Sequence, residues 1–271
     1  MDPAVFLCMV LKVEKGRRNA SFLCYNETYT RTGISPEQKE NTMKKLNIAI
    51  VGYGRSGCDI HGAFLRSKDN DICNVVAVVE YDPARAEAAR KDFGCDTYSD
   101  YRELFHRTDI DFVTNASYSN EHFPVALDLL NHGFNVLCEK PLCKSPEQVQ
   151  QLMDAAKAHN CELTIFHQYR YNDYYLEMKK LLDKKVLGDV KLVRARQNFF
   201  ARRYDWQTLL YREGGAMRNN AAHTIEQIMD LAGSDELPEI HSRMEIWNSV
   251  GDAEDYMFAT MKYSNGTVYE V

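Results

Sequence analysis

The stretch LNIAIVGYGRSG, residues 46–57, decides the fold, because in it an apolar run leads directly into a glycine-rich turn. The run 46–51 is almost wholly apolar, as a strand buried on both faces should be. The turn that follows satisfies G-x-G-x-x-G, where the first glycine allows a tight turn, the second lets a pyrophosphate approach the backbone, and the third lets helix and strand pack closely. We therefore predict a dinucleotide-binding turn. Its predicted cofactor-binding residues are Gly52, Tyr53, Gly54, Arg55, Ser56 and Gly57.

An acidic residue in the right place strengthens this prediction. Glu80 ends the apolar run VVAVVE (75–80), 23 residues past Gly57. A carboxylate there can accept hydrogen bonds from the adenosine ribose hydroxyls and would repel a 2'-phosphate, which favours NAD over NADP. The alternative is a glycine turn that serves only close packing.

Outward from this turn, strand-like and helix-like segments alternate. Apolar runs at 111–115, 134–138 and 162–166 are separated by helical patterns at 83–93, 121–133 and 145–160. This alternation predicts an α/β fold, with right-handed crossovers and a doubly wound parallel sheet of the Rossmann type in residues 43–166.

The segments on either side of 43–166 differ in character. Residues 1–42 contain an apolar run too short to span a bilayer, followed by a polar, turn-rich stretch, and we predict a disordered extension or a mis-called start. Residues 167–271 end in alternating runs with Asn265-Gly266 as a hairpin turn. They predict a second, α+β domain with an open, largely antiparallel sheet.

Composition narrows the function classes. A formal net charge of −6 without a long basic run argues against nucleic acid or an anionic membrane as a partner, and favours a small molecule. The eight cysteines form no C-x-x-C pair, which argues against a metal site and a disulfide framework. We expect reduced thiols in a cytoplasmic protein.

A candidate catalytic lysine follows the strand predicted at 134–138. Glu139, Lys140 and Pro141 come at the carboxyl edge of the predicted sheet, where ligands of open α/β sheets bind. An ammonium group there could donate to a substrate hydroxyl and lower its pKa as hydride leaves the neighbouring carbon. The alternative is a solvated lysine before a turn-forming proline.

A candidate acid/base lies in GGAMRNNAAH, residues 214–223. If 216–232 is one α-helix, an apolar stripe containing Met217 and Ile228 faces the core. The opposite, polar face holds Asn219, His223, Glu226 and Asp230. This pattern places His223 outside the core, where a polar side chain usually just meets water.

Taken together, the motifs resemble the Gfo/Idh/MocA family, named for glucose-fructose oxidoreductase and inositol dehydrogenase. The resemblance covers Leu46 to the end of the chain and rests on the glycine turn and on the segments at 116–142, 167–172, 185–190 and 214–223. It implies a Rossmann domain followed by an α/β domain with a large open sheet. It also implies a bound nicotinamide cofactor and the oxidation or reduction of a sugar, cyclitol or related polyol.

The resemblance also assigns roles to single residues. Lys140 corresponds to the family's catalytic lysine, and His223 to the histidine that takes the hydroxyl proton. Further expected cofactor contacts are Ser117, Ser119, His122, Glu139, Lys140 and Arg170. Two positions depart from the family pattern, since Tyr118 replaces the usual proline and Ser119 the commoner asparagine.

A third departure concerns the support of His223. Many family members have Asp four residues before the histidine, where this chain has Asn219. An asparagine can orient an imidazole but stabilises an imidazolium less, and Glu226 is a possible substitute. We predict Asn219 as part of the catalytic group.

The segment before the glycine pair carries arginines and aromatics. Arg202, Arg203 and Trp206 could form a substrate lid, with Arg203 and Trp206 as predicted substrate contacts beside His223. The alternative is a surface loop anchored by a buried tryptophan.

The leading functional hypothesis is an NAD-dependent oxidoreductase that acts on a polyol carbinol. The alternatives are an NAD-dependent glycoside hydrolase that uses transient oxidation, and a non-catalytic dinucleotide-binding or sensor protein. Relatives continue through further strands and a helix, so the chain looks truncated at its C-terminus. We expect a homo-oligomer that pairs through the C-terminal sheet.

Overall fold

The computed structural model describes residues 45–198, 202–234 and 236–271. The predictions made for residues 1–42 lie outside this range. The described chain forms two compact units that are not simply consecutive in sequence. The first contains the residues through Ala116 together with Leu127–Leu137 and Met153–Thr164, and the second contains Ser117–Ala126, Cys138–Leu152 and Ile165–Val271.

The first sheet is the predicted parallel one. Its strands are β1 (Leu46–Val51), β2 (Cys73–Val79), β3 (Asp96–Tyr98), β4 (Phe112–Asn115), β5 (Val136–Cys138) and β6 (Leu163–Ile165). They follow the order β3-β2-β1-β4-β5-β6, so the chain winds outward from β1 in both directions. This order confirms the doubly wound fold predicted from the alternation.

Helices connect these strands and continue into the second unit. The longer ones are α1 (Pro83–Phe93), α2 (Ser119–Asn131), α3 (Pro146–Ala158), α4 (Asp173–Asp183) and α5 (Ala222–Ala232). Short 3₁₀ turns cover Tyr101–His106, Gln168–Tyr171, Trp206–Thr208 and Leu210–Arg212. The bounds of α1 match the prediction because both ends are marked in the sequence: Asp82 caps the helix before Pro83, and Gly94 ends it at φ +65°.

Two features of the first unit were not predicted. β3 is a three-residue edge strand of polar character, which pairs with β2 through Ala77, Val78 and Val79 and carries no apolar signal. The helix after the glycine turn begins as a π-helical turn, Ser56–Gly62, followed by only Ala63–Leu65 in α geometry.

The second sheet contains β7 (Leu192–Arg194), β8 (Glu239–Glu245), β9 (Tyr256–Lys262) and β10 (Val268–Glu270), in the order β7-β10-β9-β8. The pairs β8–β9 and β9–β10 are antiparallel, and β10 pairs with β7 in parallel. The prediction of an open, largely antiparallel sheet is confirmed, with Asn265-Gly266 in the loop between β9 and β10. β7 was missed because it is short and half exposed.

Helix α5 packs on this sheet. Ile228 is almost fully buried against Met261, Tyr263 and Tyr269, so the predicted apolar stripe does face a core. The condition of one α-helix over 216–232 does not hold at its start, since Met217–Ala221 form a π-helical turn that leads into α5. No helix in the described part of the chain combines the length and the apolar character that a membrane crossing requires.

Candidate functional site

The glycine turn of the first unit has the geometry of a phosphate-binding loop. Gly52 has φ +89°, which side-chain-bearing residues rarely adopt. A Cβ on Gly57 would lie 1.9 Å from the carbonyl oxygen of Gly52, so only glycine allows helix and strand to approach this closely. A Cβ on Gly54 would meet nothing nearer than Arg85 Nη1 at 3.8 Å. Gly57 thus serves packing, whereas the backbone at Gly54 is open to a ligand and fits a pyrophosphate.

Glu80 belongs to the same turn. Its buried carboxylate accepts a hydrogen bond from the Tyr53 backbone N–H at 2.9 Å, and its other oxygen accepts from the Asp82 N–H at 3.0 Å and from Arg85 Nη2 at 3.1 Å. The acid predicted to read the ribose therefore also joins the glycine turn to the start of α1. Its contact with a ribose stays a prediction.

Lys140 lies in the second unit and is held by the π-helical turn. Its Nζ donates to the Asn219 carbonyl oxygen at 2.5 Å, and Asn219 Oδ1 lies 3.4 Å away. In a π turn the amide hydrogen bonds reach back five residues, and such turns are frequent at functional sites. The half-buried, hydrogen-bonded Lys140 is not the freely solvated lysine of the alternative interpretation.

The Asn219 side chain contacts Gln207. Gln207 Nε2 donates to Asn219 Oδ1 at 3.2 Å, and Asn219 Nδ2 donates to Gln207 Oε1 at 3.0 Å. The expectation that Asn219 orients His223 assumed a regular α-helix, in which residues four apart share a face. The π turn changes that register, and Asn219 bonds to Lys140 and Gln207 instead.

The expectation that His223 lies outside the core is wrong, because the residue is only 6% exposed. The Tyr169 ring stacks on the imidazole with centroids 4.1 Å apart and planes 11° apart. The His167 ring meets it edge-on at 6.3 Å. Burial, with the charges of Lys140 and His167, lowers the pKa of His223 to about 3, so the ring is neutral at physiological pH and can accept a proton.

His167 shares this environment. Burial lowers its pKa to about 4, and the positive charges of Arg170 and Lys140 act in the same direction. The Nδ1 atoms of His167 and His223 are both buried and meet no hydrogen-bond partner within the described ranges. Two neutral imidazoles with unused ring nitrogens therefore lie beside the lysine.

Glu226 does not substitute for the missing carboxylate. It forms an ion pair with Arg170 through its Oε1 atom, while its other oxygen is buried and has no partner among the residues described. Arg170 also lies 3.8 Å from Asp230, which binds Lys179 at 2.7 Å. Arg170, predicted as a cofactor contact, is thus engaged with α5, and its role toward the cofactor stays a prediction.

His122 links two of the predicted cofactor segments. Its Nδ1 lies 2.7 Å from the Pro141 carbonyl oxygen and its Nε2 lies 3.1 Å from the Ser117 carbonyl oxygen, with the ring 2% exposed. Ser119, also buried, begins α2, and Glu139 is buried beside Lys140. The geometry shows His122 connecting the two segments, and the nicotinamide contacts of these residues stay predictions.

The predicted lid is anchored at several points. Arg203 binds Asp205 through two hydrogen bonds of 3.2 and 2.6 Å. Trp206 is half-buried and meets the Tyr118 ring edge-on at 5.3 Å. Arg202 donates to the Asn248 carbonyl at 3.1 Å. These contacts agree with the anchored-loop interpretation and leave substrate contact by Arg203 and Trp206 as a prediction.

Three residues that surround Lys140, Asn219 and His223 were not predicted from the sequence: His167, Tyr169 and Gln207. His167 and Tyr169 lie in HQYRYN, where only Arg170 drew attention, and no spacing rule links them to a helix more than 50 residues away. Within the described residues, no group of three or more His, Cys, Asp or Glu side chains could hold a metal ion.

Comparison with protein-family models identifies both parts of the chain. Residues 46–167 match the model described as an oxidoreductase family, NAD-binding Rossmann fold (GFO_IDH_MocA), and residues 175–271 match the C-terminal domain model of the same family. The two matches together cover most of the chain.

Similar proteins of known name support the same family. The chain is 30% identical over 222 residues to a trans-1,2-dihydrobenzene-1,2-diol dehydrogenase of Danio rerio, covering 81% of this chain and 65% of the relative. It is 23% identical over 235 residues to the NADP(+)-dependent scyllo-inositol 2-dehydrogenase IolW of Bacillus subtilis, covering 86% and 63%. The chain thus spans less than two thirds of the length of these relatives.

Among solved structures, the WlbA dehydrogenase of Bordetella pertussis in complex with NADH and UDP-GlcNAcA superposes with a TM-score of 0.75 at 22% identity. The match covers 85% of this chain and 67% of that one. It supports the fold.

Proposed function

This chain belongs to the Gfo/Idh/MocA family of NAD-binding oxidoreductases, and from that membership we propose that it is a nicotinamide-dependent dehydrogenase of CH–OH groups. The observation that carries the proposal is the pairing of Lys140, held at 2.5 Å by the Asn219 carbonyl, with a buried and neutral His223. A cation that donates to an oxygen and a base that accepts its proton are the two groups that carbinol oxidation needs.

In the proposed reaction, Lys140 donates a hydrogen bond to the carbinol oxygen and stabilises negative charge on it as the carbon is oxidised. His223 accepts the hydroxyl proton on an imidazole that burial keeps neutral. NAD, when bound, supplies the hydride acceptor. Burial of the histidine and of Glu139 keeps the reacting groups partly out of water, which strengthens the attraction between Lys140 and negative charge that develops on the carbinol oxygen.

For the cofactor we propose NAD over NADP, with the glycine turn and Glu80 as its binding residues. The open backbone at Gly54 gives room for a pyrophosphate, and the carboxylate at the turn would repel a 2'-phosphate. One relative is NADP-linked, and we assign the preference of this chain for NAD to Glu80.

For the substrate we propose a sugar, cyclitol or related polyol, with a ring that bears adjacent hydroxyl groups as the favoured form. The compounds in the names of the two dehydrogenase relatives, scyllo-inositol and trans-1,2-dihydrobenzene-1,2-diol, share this feature. We also propose that the protein is cytoplasmic, since the eight cysteines form no C-x-x-C pair and their pattern argues against a disulfide framework. Finally, we propose self-association through the C-terminal sheet, where Ile240, Met244 and Phe258 are exposed.

The test follows nicotinamide absorbance while the purified protein is incubated with NAD and a panel of cyclic and open-chain polyols. We expect net NADH formation with at least one cyclic diol. We also expect Lys140→Met to lower kcat by about 10²–10⁴-fold, whereas the matched control Lys157→Met, at an exposed position of α3, leaves it unchanged.

Other outcomes would replace the proposal. Release of sugar from a glycoside without net NADH would indicate the hydrolase that uses transient oxidation. Binding of NAD without either reaction across the panel would indicate a sensor. Asn219, in place of the family's Asp, is one of the features that favour a sensor, and it weighs less because its side chain is bonded to Gln207 and Lys140.

A further inference from the structure

Among the residues that the structure describes, none bonds to His223 in the way that a partner usually fixes a catalytic histidine. Asn219 is bonded elsewhere, Glu226 is paired with Arg170, and the Nδ1 atom of His223 has no hydrogen-bond partner in the described part of the chain. An imidazole without such a bond can rotate about its side-chain torsions unless packing prevents it. The neighbouring aromatic rings are therefore the contacts that can hold the imidazole in place.

Tyr169 provides the closest such contact. Its ring lies nearly parallel to the imidazole, with centroids 4.1 Å apart and planes 11° apart, so one face of His223 is covered. His167 meets the ring almost perpendicularly at 6.3 Å. The stacked ring of Tyr169 keeps the imidazole plane from tilting. The edge-on ring of His167 limits the remaining rotation of the His223 side chain.

Tyr169 is itself fixed to the helix that carries His223. Its carbonyl oxygen accepts a hydrogen bond of 2.7 Å from Gln227 Nε2, and Gln227 lies four residues after His223, on the same face of α5. Gln227 is buried and also exchanges hydrogen bonds with the Tyr174 hydroxyl. Tyr169 is thus held by its backbone to one residue of α5 while its ring covers another.

We propose that Tyr169 is the positioning residue for His223, its ring taking the orienting role that a carboxylate would otherwise fill. This inference rests on the proposed function and extends it. A carboxylate beside the histidine would favour the charged imidazolium. A covering ring instead excludes water and leaves the imidazole in its neutral form, which is the form that accepts a proton, beside the positive Lys140.

The groups that act on the charge of His223 are few. Burial acts most strongly and lowers its pKa, Lys140 and His167 act in the same direction, and Glu139 opposes them. Lys140 and Glu139 come from the segment after β5, and His167 and Tyr169 from the segment after β6. Removing the Tyr169 ring would admit water to the imidazole while leaving these charged groups in place.

The test compares Tyr169→Phe, which keeps the stacked ring, with Tyr169→Leu, which removes it. The imidazole C–H resonance of His223, assigned among the eight histidines by its absence in His223→Gln, is titrated by NMR without cofactor or substrate. We expect the pKa of His223 to rise by about one unit or more toward 6.5 in Tyr169→Leu. We expect it to stay at the wild-type value in Tyr169→Phe.

Kinetics supply the second measurement. Tyr169→Leu should lower kcat at neutral pH by about tenfold or more with little change in KM, because positioning acts on the reaction and not on binding. The matched control is Tyr256→Leu, which removes an equally close stack, that of Tyr256 on Trp247 at 3.9 Å, from another place in the same unit. It should leave both the pKa of His223 and kcat unchanged.

A second variant keeps the test possible if the first does not fold, and the titration separates the positioning role from the dehydrogenase activity. If Tyr169→Leu fails to fold, Gln227→Met releases the Tyr169 carbonyl and should shift the pKa of His223 in the same direction by less. An unchanged His223 titration in folded Tyr169→Leu would overturn the positioning role even if the enzyme turns over polyols. A shifted titration without turnover on any substrate would uphold the positioning role and reject the dehydrogenase.

Discussion

The glycine turn and the Lys140 cluster differ in how the chain builds them. The turn comes from one continuous stretch, 52–57, plus a single acid at the end of the next strand, and its function depends on backbone geometry. The cluster joins segments around residues 140, 167–169, 207 and 219–223, and depends on which side chains meet. A site built from one continuous stretch can be predicted from residue spacing. A site built from several segments can be predicted only if the register of every helix between them is known.

The largest expected effect concerns the glycine turn, where backbone geometry decides what the site can do. Gly57→Ala would place a Cβ 1.9 Å from the Gly52 carbonyl, so we expect a loss of about 1–3 kcal/mol in the free energy of unfolding, measured by thermal and denaturant unfolding. Gly54→Ala meets nothing within 3.8 Å and should keep its stability while weakening NAD binding, measured by fluorescence titration. Equal destabilisation by both changes would mean that the glycines serve packing alone.

A smaller effect is expected from the acid of the turn. Glu80→Ser removes the carboxylate and frees Arg85, so NAD affinity should fall by about tenfold, a loss typical of one charged hydrogen-bonding group, and NADP affinity should rise. Binding constants for both cofactors check this, with Glu87→Ser on the exposed face of α1 as the control. Unchanged discrimination would refute the role of Glu80.

The smallest effect is expected inside the cluster. Asn219→Asp restores the residue that many family members carry, but the side chain faces Gln207 and Lys140. We expect the pKa of His223, followed by NMR, to move by less than about half a unit, since the new charge is not a direct partner of the ring. A rise of a full unit or more would show that positions 219 and 223 share a face after all.

Much of the fold follows from the sequence because its signals are local. Buried parallel strands are apolar runs, and the ends of α1 are written in Asp82, Pro83 and Gly94. β3 and β7 were not predicted because neither belongs to an apolar run like those of the equally short β5 and β6: β3 is polar and β7 is largely exposed.

Of the candidate site, the sequence predicted Lys140, Asn219 and His223, from the sheet edge, the helical pattern and the family resemblance. Their environment was not predictable, because a helical wheel assumes 3.6 residues per turn and the chain departs from that value at Met217–Ala221. The pattern also placed His223 outside the core, whereas the residue is buried together with Thr224 and Gln227. Polar residues on a helix face do not reveal whether water or another polar segment lies opposite.

The π-helical turn also makes this site sensitive to the length of the chain. A substitution in Met217–Ala221 changes one side chain, but deletion of one residue with the wide turn retained would rotate all that follows by about 100°. His223 would then leave the Tyr169 ring, and Ile228 would leave the C-terminal sheet at the same time. In this segment the number of residues is under tighter constraint than the identity of most of them.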